Sequence, residues 1–163
     1  MICKSNSKGF TFLEVIVVLI VLGIMAVLVV NRASSFNAEV YAGADALKSH
    51  IRYAQTVAMN TNEGAGITYD PATNQYWMYR GTDPTNVMLL PDDAQFATAD
   101  RKIDLDAKNI RINQGFLVYF NNRGIPHDGN SAMLMFSLAL RVSANTGGPS
   151  KDITIYPLTG YVP

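Results

Sequence analysis

The sequence predicts an α+β fold, a long N-terminal α-helix with a membrane-spanning first half, packed on a C-terminal antiparallel β-sheet head. Three observations predict it. Residues 10–30 form an apolar block with a single charge. A stripe of apolar residues at helical spacing follows, with no proline before Pro71. Beyond Gly64 the hydrophobic period becomes strand-like and is broken by turn-forming residues.

The 163 residues suffice for one modest domain with its own core. Thirteen basic and 13 acidic side chains cancel, so composition offers no general nucleic-acid surface. The one cysteine, Cys3, excludes an intrachain disulfide framework and a Cys-based zinc site.

The first element is the apolar block. Lys4 and Lys8 are the only charged residues before Phe10, and Glu14 is the only charge from Phe10 to Val30. As a helix the block spans roughly 30 Å, the thickness of a bilayer core. The basic flank favours a cytoplasmic N-terminus, with the rest of the chain across the membrane. A cleaved secretory signal would have a shorter apolar core and a small-x-small site after it, which Val27 to Asn31 match poorly. A plain single-pass anchor accounts for the run but not for Glu14 or the Gly9–Phe10 step. A carboxylate in hydrocarbon costs about 3 kcal/mol. The nearest lysine, Lys8, is more than a turn away, so a partner on another molecule is expected.

Lys8-Gly9-Phe10-Thr11-Phe12-Leu13-Glu14, followed by the aliphatic run, resembles the class III leader of type IV pilins and type II secretion pseudopilins. The resemblance implies a pilin-like fold and a leader, residues 1–9, removed by a prepilin peptidase between Gly9 and Phe10. The same enzyme would methylate Phe10. Glu14 would be the assembly residue, meeting the freed α-amine of a neighbouring subunit, and two buried opposite charges offset each other's desolvation. Many relatives carry a kinking proline where this chain has Asn31, so a straighter stalk is expected. Gly23 is the only helix-weakening residue in the run.

Residues 31–62 continue the stalk as an amphipathic helix. Phe36, Val40, Ala44, Leu47, Ile51, Ala54 and Ala58 form the stripe, with Glu39, Asp45, Lys48 and Arg52 largely off it. The helix should run from about Phe10 to about Asn60, with Gly64 as terminator. Ala46 to Asn60 resembles the pseudopilin stalk where it meets the head. His50 stands among polar residues and is expected to be solvated.

Residues 63–163 form the head. Ala65 to Tyr69 and Gln75 to Arg80 flank a hairpin loop, Asp70-Pro71-Ala72-Thr73-Asn74. Val87 to Leu90 is a short apolar run, and Asp92 to Lys102 reads as irregular. Ile103 to Leu105, Ile110 to Ile112 and Phe116 to Phe120 are strand candidates. Asn121-Asn122-Arg123-Gly124 is a turn, Ala132 to Val142 a long strand or strand pair, and Ile153 to Tyr156 a final strand. Tyr76, Trp77, Phe116, Phe120, Met133 and Phe136 are core candidates. Phe116 to Pro126 and Ile153 to Val162, with its Thr159-Gly160, resemble the H-type minor pseudopilins and their minor-pilin relatives. Some relatives that take up DNA end in an arginine-rich tail, whereas Tyr161-Val162-Pro163 follows here, so DNA binding is not implied.

No constellation for catalysis stands out. Asp92-Asp93, Asp100, Asp104 and Asp106 offer oxygen ligands, but without an EF-hand's spacing and glycine. His127-Asp128 lies in a Gly-Asn loop without a G-x-S-x-G or HExxH context. Thr146 to Lys151 lacks Walker spacing. No enzyme activity, metal or cofactor is expected.

The expected function is therefore structural: a minor pseudopilin of a type II secretion pseudopilus. A minor type IV pilin in pilus assembly, adhesion or DNA uptake, and a membrane-tethered binding module, are the alternatives. Expected partners are other pilins or pseudopilins, the prepilin peptidase/methyltransferase and an inner-membrane assembly platform, with nucleic acid not expected. The expected location is the bacterial inner membrane, single-pass with a periplasmic head, then the pilus or pseudopilus.

Overall fold

In a computed structural model of the protein, residues 11–91 and 98–163 are described, save the side chains of 27–37. The fold is α+β, a helix followed by antiparallel strands. The chain divides into two compact units, Met1–Ser35 and Phe36–Pro163.

The helix α1 is Phe12–Asn60. In the first unit it opens at Thr11, whose Oγ1 accepts the backbone N–H of Glu14 at 3.3 Å. Thr11-Phe12-Leu13-Glu14 has the S/T-x-x-E spacing of a capping box, which satisfies an otherwise unpaired donor of the first turn. The described side chains that follow are apolar on every face. Val15, Ile16, Val17 and Val18 make a full turn and all are exposed.

In the second unit α1 is amphipathic as expected. Val40, Ala44, Leu47, Ile51, Ala54 and Ala58 are all buried. Asn31 and Phe36 lie outside the described side chains. The helix ends at Asn60, and Gly64 adopts φ 70°, a backbone turn that side-chain-bearing residues resist.

The hairpin expected after Gly64 is present. Strands β1 (Ala65–Asp70) and β2 (Gln75–Arg80) pair antiparallel in the register Ala65↔Arg80 to Asp70↔Gln75. Asp70 shapes the turn by accepting Ala72 N–H at 2.9 Å and Thr73 Oγ1–H at 3.0 Å. Two short strands, β3 (Val87–Met88) and β4 (Ile103–Asp104), share the outer edge of β2. On the other side β1 pairs with β6 (Phe116–Phe120), which pairs with β7 (Pro126–His127). These strands make one sheet. A second, three-stranded sheet holds β5 (Ile110–Ile112), β8 (Leu138–Ala144) and β9 (Ser150–Ile155) in the order β5-β8-β9. The head thus has two antiparallel sheets where one was expected.

The core gathers the α1 stripe with one face of each sheet. Ile67, Met78, Val118 and Phe120 come from the larger sheet, and Leu140, Val142, Ile153 and Ile155 from the smaller. Fully burying one such side chain stabilises the fold by about 1.5–3 kcal/mol. Among the expected core aromatics, Tyr76, Phe116 and Phe120 are buried. Trp77 is only half-buried, because Tyr76 and Met78 on either side of it turn to the core and strand alternation sends Trp77 to the opposite face. Met133 and Phe136 are exposed, Phe136 by 83%. The strand expected from Ala132 begins only at Leu138. Before it, one antiparallel bridge, His127↔Met133, is all that extends the larger sheet.

Candidate processing and assembly site

The residues expected at the N-terminal site divide at the edge of the described structure. Gly9 and Phe10, with Lys4, Lys8 and the rest of the expected leader, lie outside the described residues. Glu14 lies inside them, in the first turn of α1, with its side chain exposed. Negative charge at a helix N-terminus is favourable, since the unpaired N–H groups there carry partial positive charge. A shallow cleft of about 270 Å³ beside Glu14 is lined by Val15, Val18 and Leu19. Val18 stands one turn beyond Glu14, so the carboxylate and an apolar depression occupy one strip of helix surface.

From Phe12 to Met25 the large apolar side chains are exposed, among them Leu19 at 62% and Leu22 at 59%. A helix apolar all round is at home only in lipid or buried among other helices. Among the described residues, no helix is long and apolar enough to cross a membrane. The described side chains of this run end at Ala26.

In the second unit, the C-terminal half of α1, the turn after β6 and the C-terminal segment meet. Gln55 on α1 donates through Nε2 to Gly124 O at 2.9 Å and to Thr159 O at 2.7 Å. One helical turn earlier, Arg52 donates through Nε and Nη2 to Val162 O at 3.0 and 2.6 Å. Gly160 sits between these contacts at φ 63°, where a Cβ would stand 2.7–2.9 Å from Gln55 Nε2, Phe120 Cε1 and Gly124 O. Asn121 Oδ1 builds the facing turn by accepting Arg123 N–H at 2.9 Å and Ile125 N–H at 3.1 Å. The Asn-Asn-Arg-Gly turn and the Thr-Gly step thus serve to dock the C-terminal segment on the helix.

His50 is not solvated. It is buried at 4% exposure, with Nδ1 at 2.9 Å from Tyr76 Oη and Nε2 at 3.1 Å from Pro91 O. A carbonyl only accepts, so Nε2 carries a proton and donates it to Pro91 O. The signal was present in the sequence: His50 is three residues after Leu47 and four before Ala54, on the buried stripe itself.

Of the acidic residues weighed as ligands, Asp104 and Asp106 hold loops. Asp106 Oδ1 accepts from Asn74 Nδ2 at 2.5 Å and Asn145 Nδ2 at 3.2 Å, and Asp104 Oδ1 accepts Asp106 N–H at 2.9 Å. Asn74 also donates to Ile110 O at 2.9 Å, tying the hairpin turn to β5. Among the described residues no group of three or more His, Cys, Asp or Glu side chains is placed to hold a metal ion. Asp92 and Asp93 lie outside them. His127 and Asp128 do not form a dyad in these contacts. His127 Nδ1 lies 2.9 Å from Ile125 O, and Asp128 Oδ1 accepts the N–H groups of Asn130 and Ala132 at 2.9 Å each.

Residues 4–30 match the family model of the prokaryotic N-terminal methylation motif. The match takes in Gly9, Phe10 and Glu14 together, and it indicates a type IV pilin-like precursor. Such a motif implies processing by prepilin peptidase and assembly with other pilins. No curated protein and no solved structure gives a significant match to the chain.

Proposed function

We propose that this chain is a structural subunit of a pilin-like filament, anchored by α1 in the inner membrane before assembly. The observation that carries the reading is Glu14. It is a lone acidic residue in the first turn of α1, followed by a stretch, Val15 to Ala26, whose described side chains are apolar on all sides, and it stands four residues after the Gly-Phe step of a matched methylation motif. Cleavage between Gly9 and Phe10 creates a cationic amine close to this carboxylate's position along the chain. In lipid, either charge alone is costly, and a neighbouring subunit's amine supplies the offset. The depression lined by Val15, Val18 and Leu19 gives an adjoining helix an apolar seat. Within this class the reading favoured is an H-type minor pseudopilin of a type II secretion system, supported by the resemblance of the segments that meet at Gln55. A minor type IV pilin is the alternative. No catalytic role is part of the reading.

The test is made in a host that holds the peptidase and the other subunits. Intact-mass measurement should find a chain lacking residues 1–9 with one methyl group added at Phe10. Glu14→Ala should be cleaved as before yet fail to enter filaments. A mature chain that keeps residues 1–9 would overturn the processing. Unchanged incorporation of Glu14→Ala would remove Glu14 from assembly.

A further inference from the structure

We propose that the groove over Trp77 is a binding site for a neutral oligosaccharide. The groove has a volume of about 400 Å³ and is lined by Trp77, Pro84, Thr85, Val87, Asp100 and Lys102. That volume lies within the range of small-molecule sites. Its floor is an aromatic ring held in place: β2 directs Trp77 away from the core, and the indole Nε1 donates to Pro84 O at 2.8 Å. The ring is half-buried, so part of it faces the groove. The Lys102 ammonium stands 4.2 Å from the ring centroid, and Asp100 is exposed at the rim. Thr85 donates its hydroxyl proton to Asp83 Oδ1 at 2.8 Å, which leaves its oxygen free to accept.

A pyranose offers an apolar C–H face and a rim of hydroxyls that both donate and accept. The indole suits the first. Asp100 as acceptor, Lys102 as donor and the Thr85 oxygen suit the second. One acid and one base at the rim leave no charge excess. That matches a neutral ligand and disfavours a single-stranded nucleic acid, which needs a basic groove beside its stacking platform. Lys102 and Trp77 are both half-buried, so their contact is partly solvated, and the ammonium moves from the ring to a sugar hydroxyl when a pyranose stacks. None of this depends on N-terminal processing or assembly.

Trp77 is the chain's only tryptophan, so its fluorescence reports on this groove alone. The full chain, held in a detergent with an ethylene-oxide rather than a sugar headgroup, is titrated with chitotriose, cellotriose and maltotriose. At least one should change the emission saturably. Asp100→Ala should weaken that response about tenfold or more, the cost of a lost charge-assisted hydrogen bond, with the thermal midpoint unchanged. No saturable response to any of the sugars would overturn the proposal. So would equal affinity in Asp100→Ala, or a response to hexathymidylate in place of the sugars.

Discussion

The Tyr79 hydroxyl is buried with no hydrogen-bond partner among the described residues. Its ring lies over Gly66, where any Cβ would collide with Tyr79 Cζ and Oη. Burial, with Tyr119 as a smaller contribution, pushes its pKa well above the ordinary tyrosine value. An unpaired buried hydroxyl costs about 1–3 kcal/mol. Tyr79→Phe is therefore expected to leave the fold equally or more stable at neutral pH, gaining about 1 kcal/mol, as read by urea unfolding. The pH dependence has a definite sign. The unfolded chain loses this proton near pH 10, while the folded chain keeps it to higher pH. The stability linked to Tyr79 is whole below about pH 10 and falls as pH rises beyond it. Alkaline destabilisation should be shallower in Tyr79→Phe, and an unchanged profile would refute the assignment. A single residue of this kind is hard to read in a sequence. The alternation of β2 tells which face Tyr79 takes, but not that a glycine on the neighbouring strand lets its ring lie flat.

Among the elements, α1 gives the clearest link from pattern to burial. Ile51 is wholly buried between the helix and the sheets, so Ile51→Ala should cost about 2–5 kcal/mol by urea unfolding. Glu39→Ala, on the exposed face, should stay within about 0.5 kcal/mol of the parent. The helix and the first hairpin are legible because their signals are local, a 3.6-residue stripe in one and Asp70 to Asn74 between alternating runs in the other. The stretch from Ala132 misleads because apolar character there does not mean burial. Met135 and Phe136 are apolar and exposed, and the strand starts only where Leu140, Val142 and Ala144 alternate inward. The split into two sheets is not legible either. Strands of two or three residues, such as β4 and β5, carry too little pattern to choose a partner, and the choice falls to distant groups such as Asn74 and Asp106. At the candidate site, Glu14 can be read from its isolation in an apolar run. Gln55 cannot, because its acceptors are 69 and 104 residues away.

At the scale of the whole molecule, the two units differ in what their apolar residues meet. Every hydrophobic residue in the described core belongs to the second unit, from Val40 onward. The large apolar residues from Phe12 to Met25 are exposed. Unfolding of the full chain in detergent should therefore report the second unit. Leu19→Ala should leave the free energy of urea unfolding unchanged, within about 0.5 kcal/mol, while reducing recovery in filaments. A shifted midpoint would mean that the apolar run contributes to folding of the single chain.

The grip of Arg52 on Val162, across 110 residues of chain, also bears on the order of events as the protein is made. Residues 40–58 leave the ribosome long before the segment that finally clamps them. Until residue 162 arrives, that clamp cannot close, and the loop it must close is among the longest the chain allows. The half-made subunit therefore spends its synthesis with an adhesive helix uncovered, the condition in which nascent chains aggregate or recruit a chaperone.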